Sequence, residues 1–147
     1  MNESRFALGL LMLALSSATI AATPCTPTVE QGWIRRGPPG ATMLAGYALL
    51  RNRCATPQSV RSVASQDFAA TTMHETLVEN GVSRMREVAA VTIPAGGIAT
   101  FQPGGRHLML MRPKRALHTG DRVVLRFKLV DGREVRADFV IREQAPK

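Results

Sequence analysis

The alternation of short β-rich runs with turn signals constrains the fold of this chain most strongly. No run shows the sustained apolar period of 3.6 residues that is typical of an amphipathic helix. The runs cover residues 29–36, 43–52, 58–64, 69–79, 82–89, 97–102, 106–112, 122–130 and 134–142. The sequence therefore predicts an all-β chain.

Turn signals separate nearly all of these runs. Asn80-Gly81 and Asp131-Gly132 are typical of two-residue hairpin turns, because both central residues of a type I′ turn need a positive φ. Proline- and glycine-rich clusters at 37–40, 94–97 and 103–105 mark further reversals. Many short strands joined by tight turns favour a two-sheet antiparallel sandwich over a barrel that encloses a ligand.

The N-terminus has the pattern of an export signal. Arg5 supplies a weak positive charge, residues 6–16 form an apolar run, and residues 17–22 end in small side chains. We predict cleavage after Ala22, export to the periplasm and a mature chain of residues 23–147. This length suits a single domain, and no later segment approaches the roughly 20 apolar residues that a membrane span needs.

A lipoprotein signal is the alternative at this end of the chain. Cys25 lies just after the small residues, where a lipid-modified cysteine would stand. Pro24 directly before it does not suit that modification. We therefore predict no lipid anchor and no stable membrane insertion.

The charge of the chain favours anionic partners. Lys and Arg number 19 against 11 Asp and Glu, which gives a formal net charge of +8. No recognition helix or aromatic-basic RNA motif is present, and an exported protein seldom meets nucleic acid, so we predict no nucleic-acid partner. An acidic protein surface or anionic lipid headgroups are better candidates.

The two cysteines lie at matching positions of a predicted hairpin. If the strand before the 37–40 turn folds back on the strand after it, Cys25 and Cys54 face each other at the open end. Export favours oxidation, so we predict a Cys25–Cys54 disulfide. Metal binding or redox chemistry by these thiols has less support, because there is no Cys-x-x-Cys and no histidine near either cysteine.

Histidine and methionine recur on predicted strand faces. The hairpin at Asn80-Gly81 makes Met85 a diagonal neighbour of His74 on one face, about 7 Å away. His107 and Met109 are two residues apart on one strand and also share a face. Bringing the two units together would create a site of two imidazoles and two thioethers.

This set of ligands indicates the metal. Thioether sulfur is soft and suits Cu(I), whereas zinc, magnesium and calcium prefer other ligands. Imidazole discriminates less between metals. Methionine also keeps its ability to bind metal in an oxidising compartment, where cysteines form disulfides. The sequence predicts a Cu(I) site of His74, Met85, His107 and Met109, used for transport.

Each of these residues alone has an ordinary structural explanation. Methionine is a common core filler, and a single histidine on a strand is more often a hydrogen-bonding residue than a ligand. Met73 and Met111 lie beside the site. Met111 shares the face of Met109, so it is either a spare thioether or a packing residue at the rim, and we favour packing. His118 lies in the turn at 117–121, and we interpret it as solvated.

The ligand spacing resembles the motif of the periplasmic copper chaperone family PCuAC. The chain matches this motif without a gap. Ten residues separate His74 from Met85, twenty-one separate Met85 from His107, and one separates His107 from Met109. Further matching features are Trp33-Ile34-Arg35 with Pro38-Pro39, Tyr47, Asn52, His74-Glu75-Thr76, and residues 81–85, 93–97 and 103–111. The resemblance covers nearly all of residues 23–147.

The resemblance implies a fold, a cargo and a recipient. The fold would be a cupredoxin-like antiparallel β-sandwich with Greek-key topology. It would bind Cu(I) and pass it, directly or with a Sco-type thioredoxin-fold protein, to the copper-binding subunit of a cytochrome c oxidase, at its binuclear CuA centre. Some members carry a His- and Met-rich C-terminal extension, which residues 143–147 do not resemble. A second site for Cu(II) is therefore not expected.

Other classes of protein remain as alternatives. An electron-transfer cupredoxin needs a cysteine thiolate with two histidines and a weak axial methionine, and neither cysteine lies in that pattern. A metal-free scaffold sandwich is the second alternative. We predict no enzyme, since no nucleophile, base and orienting acid can be picked out. We also favour a monomer.

Arginines flank the predicted ligands. Arg84, Arg86 and Arg106 should alternate to the opposite side of their strands and be solvated. An alternative hypothesis is that they help to dock an acidic acceptor.

Overall fold

The computed structural model describes residues 24–146 of the 147-residue chain. The predicted export signal, residues 1–22, lies outside the described residues. The described part contains ten strands and no helix, so it has no helix that could cross a membrane. The strands are β1 Thr28–Arg35, β2 Met43–Arg51, β3 Gln58–Ala64, β4 Phe68–Glu79, β5 Val82–Glu87, β6 Val91–Ile93, β7 Ile98–Phe101, β8 Arg106–Pro113, β9 Arg122–Leu129 and β10 Glu134–Arg142. The all-β prediction is confirmed.

The strands form one continuous hydrogen-bonded path. Its order is β5-β4-β8-β2-β1-β10-β9-β3-β6, and β7 pairs with the second half of β2. The connections β2–β3, β3–β4, β5–β6, β6–β7 and β8–β9 cross between the half of the path that runs from β5 to β1, with β7, and the half that runs from β10 to β6. Such crossings are typical of Greek-key sandwiches. All pairs are antiparallel except β1 with β10. The first strand already has β2 as its antiparallel partner, and its other edge receives the last strand, whose direction is set by the β9–β10 hairpin.

One apolar core holds the two halves together. Leu108 and Leu110 of β8 belong to the same buried cluster as Phe127 of β9 and Phe139 of β10. The path of strands therefore curls over on itself into an open sandwich. Each such side chain contributes roughly 1.5–3 kcal/mol when it is removed from water. The other face of β5, β4, β8 and β2 is left on the outside of the sandwich.

The β1–β2 hairpin and the disulfide follow the predicted pairing. Thr28 opposes Arg51, and Cys25 is bonded to Cys54 with their Cα atoms 5.7 Å apart. The register shifts by one residue after Glu30, where Gln31 has a φ of 54°. A bulge with a left-handed residue explains this shift, which the regular hairpin did not predict.

Two local details differ from the predicted strands. The short strand β6 was not predicted, because three residues are too few for an alternating pattern; they pair with β3. Strand β5 ends at Glu87 rather than at residue 89. The amide of Val88 donates instead to the Met73 carbonyl (2.9 Å), and its side chain packs against the core.

Candidate metal centre

Strand β4 lies between β5 and β8, and its register gathers the predicted ligands. The cross-strand pairs are His74 with His107, Thr72 with Met109, and Thr76 with Met85. Directly opposed residues point to the same side of a sheet, as do residues two apart on one strand. All four predicted ligands therefore lie on one face. The direct opposition of the two histidines was not predicted, because it depends on a pairing between strands that are distant in sequence.

This face is the outer face of the sandwich. Leu108 and Leu110 alternate with the ligands of β8 and are fully buried in the core, as is nearly all of Met73 on β4. Across the site exposure rises from 8% for His107 to 61% for Met85, while His74 and Met109 are half-buried. The site is thus anchored at one end and open at the other.

The ring of His107 is oriented by the backbone. Its Nδ1 lies 3.1 Å from the carbonyl oxygen of Gly105, which can only accept, so Nδ1 carries the proton and donates. The lone pair of His107 is then on Nε2. A histidine that donates its second ring N–H to a carbonyl is the usual arrangement of a metal ligand, because it fixes both tautomer and ring orientation.

The ring of His74 has one nitrogen bonded and one unpaired. Nε2 lies 3.0 Å from the Thr72 hydroxyl oxygen, whereas the buried Nδ1 has no hydrogen-bond partner among residues 24–146. Burial lowers the pKa of His74, the nearby Glu87 carboxylate raises it and His107 lowers it, with a net lowering. The neutral imidazole, which is the metal-binding form, is thereby favoured.

These groups fit a soft metal ion. The ring centres of His74 and His107 are 5.9 Å apart. A ligating imidazole nitrogen lies about 2 Å from its metal, so two rings at this spacing can straddle one ion. No group of three or more His, Cys, Asp or Glu side chains between residues 24 and 146 is arranged to hold a metal. The ligands available beside the two imidazoles are thioethers, which select Cu(I).

Sequence reasoning missed two supporting groups. Thr72 and the Gly105 carbonyl each contact a ring nitrogen of a predicted ligand. Thr72 is two residues before His74 on the same face, so strand parity could have identified it. The role of Gly105 depends on the shape of the 103–105 turn, which no side-chain pattern reports.

The remaining histidine and methionines have separate positions. His118 is exposed in its turn, in agreement with its interpretation as a solvated residue. Its backbone amide donates to the Asp121 carboxylate. Met73 is in the core. Met111 is only half-buried. It lies on the ligand face, because its partner on β4 is Ala70, which is two residues before Thr72 and therefore has the same parity.

The arginines beside the ligands point away from this face, as alternation predicts. Arg86 donates to the Glu75 carboxylate (2.5 and 2.9 Å), and Arg106 is directly opposite Glu75 on its other side. A cation that does lie on the ligand face is Arg35, whose partner Ala45 is opposite Met109. Its guanidinium lies 5.8 Å and 5.6 Å from the ring centres of Trp33 and Tyr47, within cation–π distance.

The contact between Thr72 and His74 yields a prediction. We expect Thr72→Val to weaken Cu(I) binding by about 10-fold, because loss of a group that orients a ligand typically costs 10–100-fold in metal affinity. Thr76→Val is the matched control, since Thr76 has the same parity on β4 and opposes Met85. Competition with a chromophoric Cu(I) chelator measures both. Equal affinities for the two variants would contradict a role for Thr72.

The fold is that of the PCuAC class of β-sandwich domains. The copper-bound PCuAC domain from PmoF2 superposes with a TM-score of 0.65 at 24% identity, over 80% of this chain and 92% of that one. The Cu(I) form of DR1885 from Deinococcus radiodurans gives a TM-score of 0.66 at 30% identity, over 89% of this chain and 87% of that one.

The chain belongs to the LpqE-like family, described as "Putative lipoprotein LpqE-like", whose model matches residues 27–141. It is 29% identical over 130 residues to "Putative lipoprotein Lxx21020" of Leifsonia xyli subsp. xyli (strain CTCB07), covering 85% of this chain and 77% of that protein. Membership of a lipoprotein family is typical of proteins that act outside the cytoplasm.

Proposed function

We propose that this chain is a periplasmic Cu(I) chaperone that holds one ion between His74, Met85, His107 and Met109. The observation that carries the proposal is the buried Nδ1 of His74, which has no hydrogen-bond partner in the described part of the chain. It belongs to a ring directly opposite His107, on a face that also presents two thioethers. A buried polar atom without a partner is rare and calls for an explanation, and a bound metal ion supplies one. The Cu(I)-bound structure of DR1885 supports the choice of ion.

The graded exposure of the ligands suits transfer rather than storage. His107 is nearly buried, whereas Met85 is 61% exposed at the outermost strand of the path, β5. An acceptor ligand can approach from the side of Met85 and replace it while the histidines still hold the ion. Neutral ligands assist this exchange, because they attract Cu(I) less strongly than thiolates would.

We further propose that the recipient is the copper-binding subunit of a cytochrome c oxidase, at its CuA centre. Delivery is direct or involves a Sco-type protein. The PCuAC-like ligand spacing supports this recipient, and the net charge of +8 favours an acidic docking surface. Because Arg84, Arg86 and Arg106 lie on the opposite face, Arg35 is the arginine we assign to the docking side. We propose that the chaperone acts as a monomer without a nucleic-acid partner.

A transfer experiment tests this delivery. The Cu(I)-loaded protein is mixed with the soluble copper-binding domain of the oxidase subunit under anaerobic conditions, and the copper content of each separated protein is measured. We expect copper in the acceptor, at a rate that falls as salt is added, because salt screens the attraction between the partners. An acceptor that stays empty would contradict the recipient, and a rate independent of salt would contradict charge-assisted docking.

The alternative function of an electron-transfer cupredoxin requires a cysteine thiolate as a copper ligand. The chain has two cysteines, and both are in the disulfide, so no thiolate is left to bind copper. We expect no intense blue colour on addition of Cu(II), since that colour comes from a copper–thiolate bond. A metal-free scaffold is tested by equilibrium dialysis with Cu(I) under mild conditions that preserve the disulfide, where we expect near-stoichiometric binding.

A further inference from the structure

Two methionines outside the four-ligand site oppose each other on the same outer face. Met43 of β2 is the direct cross-strand partner of Met111 of β8. Cβ atoms of directly opposed residues lie roughly 4.5–5.5 Å apart, and the flexible methionine side chain lets two sulfur atoms converge on one point. The next pair on the same face of these strands is Ala45 with Met109, so the two methionines are one row away from the first site.

Core packing does not account for this pair. The residues that alternate with it, Leu44 and Leu110, are the ones buried in the core. Met43 is 53% exposed and Met111 half-buried. The flanking positions on this face, Ala45 on β2 and Ala70 on β4, carry only methyl side chains.

We propose that Met43 and Met111 form a second soft-metal site, in which two thioethers bind Cu(I). Neutral, soft sulfur ligands select Cu(I) and do not retain zinc, magnesium or calcium. Two ligands bind more weakly than four, so this site fills after the first. The identity of the ion rests on the proposed function, whereas the pairing of the two thioethers does not.

The position of the second site gives it a role in loading or release. Met109 is two residues from Met111 on β8. It is also the diagonal neighbour of Met43, and such diagonal neighbours lie about 7–8 Å apart. An ion held by Met43 and Met111 is therefore one side-chain movement away from a ligand of the first site. The thioethers form a row along which Cu(I) can pass from one sulfur atom to the next without dissociating from the protein.

Methionine methyl resonances test the proposal directly. The protein is labelled with ¹³C at its methionine methyl groups and titrated with Cu(I) under anaerobic conditions, and the resonances are assigned with single Met→Leu variants. The first equivalent should shift the methyl groups of Met85 and Met109. The second equivalent should shift those of Met43 and Met111 together.

Met43→Leu removes one thioether at an exposed position. In this variant we expect the second equivalent to be lost, the Met111 methyl group to stop responding to it, and the first equivalent to bind as before. Met73→Leu is the matched control, because Met73 is in the core, and it should keep both equivalents.

The outcomes separate the two proposals. Met43 and Met111 resonances that stay unshifted through two equivalents, or a Met111 response that survives Met43→Leu, would overturn the second site while leaving the chaperone function intact. Unshifted Met85 and Met109 resonances at the first equivalent would instead overturn the proposed function. Coupled shifts of Met43 and Met111 in that case would still support their pairing.

Discussion

Replacing His107 with Ala is expected to weaken Cu(I) binding by about 100-fold or more. His107 is the least exposed of the proposed ligands, and its ring is fixed by the Gly105 carbonyl. Removal of a group that merely orients a ligand already costs about 10–100-fold, so removal of the ligand itself should cost at least the upper end of that range. Competition titration with a chromophoric Cu(I) chelator gives the two affinities.

His118→Ala is the matched control for this variant. His118 is an exposed histidine in the turn that precedes β9, and its loss should leave the affinity for Cu(I) unchanged. Thermal unfolding of both apo variants checks that His107→Ala remains folded. A folded His107→Ala protein with the affinity of the unmodified protein would remove His107 from the site.

Removing the disulfide is expected to have the largest effect on stability. The bond closes a loop between residues that are 29 apart in sequence. Constraint of the unfolded chain by a loop of this size contributes about 3 kcal/mol. We expect Cys25→Ala/Cys54→Ala to lower the free energy of unfolding by about this amount, measured by denaturant titration.

A reducing agent provides the control for this prediction. It should destabilise the unmodified protein and leave the double variant unchanged. Equal stability of the two proteins without reductant would show that the cysteines are not bridged in solution.

The disulfide also supports the predicted absence of a lipid anchor, because Cys25 cannot carry a thioether-linked lipid while it is bonded to Cys54. Mass spectrometry of the exported protein distinguishes the two modifications.

Local features of this fold could be predicted because they depend on turn chemistry and strand parity. Asn80-Gly81 set the β4–β5 register, which makes Met85 a diagonal neighbour of His74, as predicted. The alternation along β8 correctly separates Met109 from the core residue Leu108. The turn at 37–40 was sufficient to pair Cys25 with Cys54.

Features that depend on pairing between distant strands could not be predicted. The opposition of His74 and His107 requires β8 to lie beside β4, a choice made by the burial of Leu108, Leu110 and the rest of the core. The parallel contact of β1 with β10 likewise depends on how the ends of the chain meet. No local sequence pattern specifies either contact.

The site itself was predicted as a set of residues but not as an arrangement. Ligand softness and spacing predicted four ligands, and their binding of metal stays a prediction. The buried Nδ1 of His74, which has no partner among residues 24–146, and the exposure of Met85 follow only from the packed structure. The Met43–Met111 pair was likewise not predicted, because its two residues belong to strands that are distant in sequence.

X-ray absorption spectroscopy at the copper edge, with one equivalent of Cu(I) bound, tests the central claim most directly. The proposed site predicts a Cu(I) edge and a mixed first shell of two nitrogen and two sulfur atoms, from His74, His107, Met85 and Met109. The sulfur contribution should fall by half in Met109→Leu. A shell of nitrogen and oxygen atoms alone, or a sulfur contribution unchanged in Met109→Leu, would contradict the account.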